Sequence, residues 1–173
     1  MYLLFVVVAW IIIGKKFVHW KTWKEYYSTI QYFIICNLFY NFLYYNHTLW
    51  AYKAKTTPLL NHTLIETAFT FLVVPITIMI YLQHFPEGDQ KQKKYLYVFS
   101  WSFFFWIIEY LFSKKGLFVY DNGWNVWWSA IFNMLMFTML RIHYKKPLLA
   151  LILSILIIIF LIFLFPSPLL KMK

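Results

Sequence analysis

The chain has 173 residues, 62% of them hydrophobic, 24% aromatic and only 13% charged, with a mean hydropathy of +0.63. Soluble domains carry roughly 25% charged residues, so this composition excludes a water-solvated fold and predicts an all-α integral membrane helical bundle, a single transmembrane domain over residues 1–173. The 16 Lys+Arg outnumber the 6 Asp+Glu, but Arg141 is the one arginine and no basic run is interleaved with stacking aromatics, so the excess fits phospholipid headgroups and no nucleic acid.

A hydrocarbon core about 30 Å thick takes roughly 20 apolar residues per helical crossing. Six apolar runs between charge clusters predict six transmembrane helices, or five if the short first run does not span. That run, residues 2–13, is YLLFVVVAWIII, about 18 Å of helix. It has the length of a signal peptide, yet no basic residue precedes it and no small-residue cleavage pattern follows. The next stretch, KKFVHWKTWKEYY, has the lysines and tryptophans of a membrane interface. The second run, 26–45, carries Gln31, Asn37 and Asn41. The third, 63–84, contains Pro75, which a membrane helix tolerates as a kink.

After the hydrophilic loop FPEGDQKQKK comes the fourth run, 95–113, and then KKGLFVYDNG, which closes on the turn signal Asp-Asn-Gly. The fifth run, 124–140, ends at RIHYKKP, a basic anchor for anionic lipid. The sixth, 148–165, has Ser154 as its one polar side chain and is predicted to face lipid around most of its circumference. Cys36 is the single cysteine, so no intrachain disulfide forms, and it reads as a small buried apolar residue. The two Asn-His-Thr triplets match a glycosylation sequon, a pattern common by chance.

Alternate loops place ten basic residues on one side of the membrane and six on the other, the first group including Lys15, Lys16, Lys91 and Arg141. The bias makes the first side cytoplasmic and puts both termini outside. In this arrangement Asn41, Glu66, Glu109 and Asn125 fall on four different helices at similar depth beneath the outer surface, with His62 and Asp121 just above. Asn37 and Asn133 lie nearer the midplane, where they could bond across helices. Ionisable residues within spans are rare and mark functional sites by default.

Glu66 also has a local role open to it. Thr63 and Glu66 have capping-box spacing, so the first reading is that Thr63 caps the third helix and Glu66 bonds back to its backbone N–H. Glu109, in FFFWIIEYLFS, has no capping role, and an ionised carboxylate among aromatics is costly. It either bonds to a neighbouring helix or carries function, and between the two glutamates it is the stronger catalytic candidate. His62 and Glu66 stand four apart near Glu109 and Asp121, too loose a ligand pattern to assign a metal. No motif for nucleotide binding, hydrolysis or metal chemistry occurs, and no cofactor is expected.

The segments NHTLIE, GLFVYDNGWNVWWS and RIHYKKPLLA resemble a family of small uncharacterised polytopic membrane proteins of spore-forming Firmicutes. The similarity spans nearly the whole chain and implies a bacterial cytoplasmic membrane, with no catalytic or binding roles to carry over. The functional expectation is a multi-pass membrane protein that serves as a non-enzymatic binding or scaffold subunit, with a polar layer near the outer face. The alternatives are an intramembrane carboxylate-dependent enzyme on a lipid or isoprenoid-like substrate, or a small-molecule or ion transporter. Membrane lipids are the expected partners, together with a second copy of the chain or another membrane protein.

Overall fold

The computed structural model describes residues 2–45, 47–53 and 62–166, without the side chains of Tyr2, Leu3, Leu4 and His62. The sequon residues Asn46 and Asn61, and Lys55, Lys171 and Lys173 of the charge comparison, lie outside the described residues. The chain forms α1 (Tyr2–Phe17), a 3₁₀ turn (Trp20–Thr22), α2 (Trp23–Leu43) and β1 (Trp50–Tyr52). Next, α3 (His62–Ala68) continues through a π-helical segment (Phe69–Val73) into α4 (Val74–Gln83). The remaining elements are α5 (Lys91–Lys114), β2 (Phe118–Tyr120), α6 (Val126–Lys145) and α7 (Pro147–Leu164).

The fold is therefore mostly helical, as composition demands. The expectation of a purely α fold needs one amendment. Two segments read as loops pair as antiparallel strands, Trp50 opposite Tyr120, Ala51 opposite Val119 and Tyr52 opposite Phe118. Because strand side chains alternate faces, the four aromatics Trp50, Tyr52, Phe118 and Tyr120 share one face of this pair. Asp121-Asn122-Gly123 follows at once as a turn, with Asn122 at φ 52 and Gly123 at φ 86, the left-handed region that favours these two residue types.

Among the described residues, three helical stretches are long and apolar enough to cross a membrane: Thr63–Gln83, Lys91–Lys114 and Pro147–Leu164. That is compatible with a membrane location. The 16-residue α1 outruns the expected 12-residue run because Gly14, Lys15, Lys16 and Phe17 stay helical, but its length of about 24 Å is below a full crossing. The outward faces of α5 and α7 are apolar, with Tyr95 at 73% and Phe163 at 81% exposure, an arrangement suited to hydrocarbon rather than water. Hydroxyl groups within the helices are silenced locally. Thr67, Thr70, Thr77, Ser102, Thr138 and Ser154 each donate to the carbonyl four residues earlier, at 2.7–2.8 Å.

Pro75 explains the wide π turn. A proline ring collides with the carbonyl four residues back, and widening the preceding turn relieves that collision, with the Val74 N–H bonding five residues back to Phe69 O. Directly below, Gly14 lets α1 approach α4 so closely that a Cβ there would stand 2.9 Å from Ile76 Cγ2.

Two hydrophobic clusters close the ends of the bundle. One centres on Tyr81 and Phe137, both fully buried, with the Tyr81 hydroxyl donating to Phe137 O at 2.9 Å. Its end carries the surface charges: Arg141 bonds Glu87 at 3.0 Å and stacks 4.0 Å from the Phe85 ring. The other cluster joins Tyr44, Leu49, Trp124 and Phe165 beneath the β pair, with the Tyr44 hydroxyl donating to Phe165 O at 3.0 Å. Between these clusters lies a cavity.

Candidate ligand-binding cavity

The cavity holds about 320 Å³, at the lower end of the range for small-molecule sites. Helices α1, α2, α3, α4, α5 and α6 contribute to its wall, and the aromatic face of the β pair covers one end through Trp50, Tyr52 and Phe118. Glu66 of α3 and Glu109 of α5 both face it. These two carboxylates, 43 residues apart in the chain, were expected at similar depth, and they line one shared space.

Each carboxylate is held by one asparagine from a neighbouring helix. Asn37 of α2 donates from Nδ2 to Glu66 Oε1 at 3.1 Å and to Thr70 Oγ1 at 2.7 Å. Asn133 of α6 donates from Nδ2 to Glu109 Oε2 at 3.3 Å and to Ser129 O at 2.9 Å. The other oxygen of each carboxylate, Glu66 Oε2 and Glu109 Oε1, is buried and accepts no hydrogen bond. Buried polar atoms almost always find a partner in a folded protein, so two orphaned acceptors around one cavity point to something that belongs between them.

The capping box expected at Thr63 is not formed. The helix already includes His62, which places Thr63 inside it, and the Glu66 carboxyl turns across to Asn37 instead of back to its own N-terminus. A hydrogen bond to a side chain of a neighbouring helix, strengthened by the low local dielectric of a packed interior, is formed in place of the local backbone cap.

Two tyrosines complete the polar surroundings. Tyr52 lines the cavity, and burial, then the charges of Glu66 and Glu109, push its phenol well above the ordinary range. Burial and the neighbouring Glu109 carboxylate likewise push up the Tyr120 phenol. Tyr120 Oη is close to Glu109 without meeting it at bonding geometry, and it is the third orphaned polar atom in this region.

Three other members of the expected polar layer, Asn41, Asp121 and Asn125, do not line the cavity. Asn41 donates from Nδ2 to Asn37 O within its own helix at 2.9 Å. Asp121 is exposed and accepts from Asn122 N at 2.8 Å, so it builds the turn. Asn125 caps α6, accepting from the Trp127 and Trp128 N–H groups at 2.9 and 3.2 Å, the structural role its position suggested. His62 begins α3, and its side chain lies outside the described residues. Among the described residues no group of three metal-ligating side chains occurs.

Asn37 and Asn133, expected to bond across helices, do so, each donating to a carboxylate of a neighbouring helix. Tyr52 is expected in a loop just above the polar layer, whereas Tyr120 and the pairing of the two segments are not expected, because both segments read as loops. The short aromatic and β-branched runs WAY and FVY, the second leading into a turn, carried the strand signal. The chain matches no protein-family model, no curated protein and no solved structure.

Proposed function

We propose that this chain is a multi-pass bacterial membrane protein of the Firmicutes type, a non-enzymatic binding subunit that holds a small ligand in the cavity between Glu66 and Glu109. Six crossings with both termini outside would set that cavity beneath the extracytoplasmic surface, under the β pair. The observation that carries the reading is the pair of orphaned carboxylate oxygens facing one space. Each carboxylate is tied through one oxygen to its asparagine, and the other oxygen accepts no hydrogen bond at bonding geometry.

One observation favours a second reading, an intramembrane enzyme on a lipid or isoprenoid-like substrate: two acids share a cavity with aromatic walls. Acid–base catalysis needs carboxyl groups set apart by different environments. Here each acid is held by an asparagine of a neighbouring helix, while only Glu109 also has Tyr120 beside it; binding requires no division of roles between the two and is the simpler account.

The test is native mass spectrometry of the full chain extracted from its own membranes, comparing wild type with Glu66→Gln and Glu109→Gln. A glutamine Oε1 still accepts from Asn37 or Asn133, so both variants should keep their thermal stability in detergent while losing a low-mass ligand retained by wild type. Equal loss of stability in both variants, with no difference in bound small molecules, would leave only a scaffold.

A further inference from the structure

We infer that the ligand is an organic cation, a primary amine or quaternary ammonium compound, seated between Glu66 and Glu109 against an aromatic wall. The inference rests on the cavity reading above and names the chemistry the cavity selects.

Charge balance comes first. Two carboxylates line the space, and among the described residues no lysine, arginine or histidine does. The ion pairs recorded for Arg141 and Lys145 are with Glu87, at the opposite end of the bundle. Asn37 and Asn133 supply neutral amide donors, which orient the carboxylates without neutralising them. Removing a bare carboxylate from water costs several kcal/mol unless charge and hydrogen bonds are returned to it. A ligand suited to this place therefore brings positive charge and, for an amine, N–H donors aimed at Glu66 Oε2 and Glu109 Oε1.

The wall decides among cations. A calcium ion takes six to eight oxygen ligands, and magnesium demands near-octahedral oxygen geometry. The lining instead sets a few neutral polar side chains, Asn37, Thr70, Thr77, Ser129 and Asn133, among the rings of Trp50, Tyr52, Phe105, Phe118, Trp124 and Phe132. Ring faces attract an organic ammonium through their quadrupole and shelter its carbon substituents, but they offer a metal nothing to coordinate. Aromatic cages with a carboxylate are suited to ammonium groups for the same reason. The space of about 320 Å³ accommodates an amine with a small organic body.

The experiment uses the full chain in zwitterionic phosphatidylcholine nanodiscs, which present no anionic lipid to compete for cations. Tryptophan fluorescence and thermal stability report binding of tetramethylammonium, benzylammonium and the neutral near-isostere benzyl alcohol. Both cations should bind, and benzylammonium should bind at least about tenfold more tightly than benzyl alcohol. Glu66→Gln and Glu109→Gln should each weaken cation binding roughly ten- to hundredfold and leave benzyl alcohol unchanged. Glu66→Asp, which keeps the charge, should retain measurable cation binding. If a glutamine variant fails to fold, the wild-type ratio of benzylammonium to benzyl alcohol decides. Equal affinity for those two probes, or cation binding indifferent to both glutamine substitutions, overturns the cation inference and leaves the cavity reading intact. Silence from every probe, charged and neutral, overturns both.

Discussion

Asn37 ties two side chains of the candidate site together, since one amide serves both Glu66 and Thr70 across a helix boundary. Hydrogen bonds of this kind within membranes contribute about 0.6 kcal/mol on average, up to about 1.7. The Asn37–Glu66 bond should fall in the upper half of that range, because the acceptor is a carboxylate with one oxygen already bare. A double-mutant cycle with Asn37→Ala and Glu66→Ala, read by unfolding in detergent, should give a coupling of about 1 kcal/mol. A coupling indistinguishable from zero would mean that the two side chains do not meet. At the opposite end, hydrogen bonding to Arg141 holds the Glu87 carboxyl below the usual carboxylate range. Its contribution is present above the ordinary carboxylate pKa and is lost as pH falls through that lowered value. Glu87 is 66% exposed, so the effect should be small and should shrink in high salt. Thermal stability of wild type and Glu87→Gln should accordingly converge on acidification.

Among the elements, the β pair has the clearest consequence for the site, since its aromatic face forms one end of the cavity. Ala51 and Val119 sit opposite each other at the centre of the ladder, flanked by Lys53 N to Leu117 O at 2.8 Å and Asp121 N to Leu49 O at 2.9 Å. Val119→Pro removes a backbone donor from the central pair. The variant should expose the cavity, shift tryptophan emission to the red through Trp50 and Trp124, and leave the helical circular dichroism nearly unchanged. An unshifted spectrum would show that the strands do not cover the site. Contact between α1 and α4 makes a different demand. Gly14→Leu must displace Ile76 and should destabilise by about 1–3 kcal/mol, whereas Gly14→Ala should cost less because its gain in helix propensity, about 1 kcal/mol, offsets part of the overpacking. Chemical denaturation in detergent measures both.

At the scale of the whole molecule, the outward faces decide where the protein can exist. Ile155 and Ile159 of α7 are 58% and 59% exposed, one turn apart on a helix with a mostly outward apolar surface. In water such a face would drive aggregation; in hydrocarbon it costs nothing. Ile159→Lys should therefore disturb no internal packing and still impair membrane insertion, since a lysine at mid-helix costs about 2.5–3.5 kcal/mol on insertion. Comparing the membrane fraction with that of a Phe165→Leu control checks it. Normal recovery of Ile159→Lys in the membrane fraction would show that α7 does not face lipid.

Helical content and the presence of helices apolar enough to cross a membrane were legible in the sequence, because both follow from how much apolar surface the chain carries and at what period it recurs. Asn125 and the Asp121-Asn122-Gly123 turn were legible for a related reason: caps and turns satisfy their own neighbours. That Glu66 and Glu109 fall near one another could be anticipated by counting along the helices, and both line one cavity. What counting residues could not supply was direction. Whether Glu66 curls back to Thr63 or reaches Asn37 depends on how α2 and α3 are packed, and their rotation about their own axes is set by tertiary contact alone. The same holds for the strands, where WAY and FVY are too short to hold together by themselves, and only the helices that bring them side by side let their backbones pair. Composition chose the solvent, and packing then chose which few polar atoms would meet inside it.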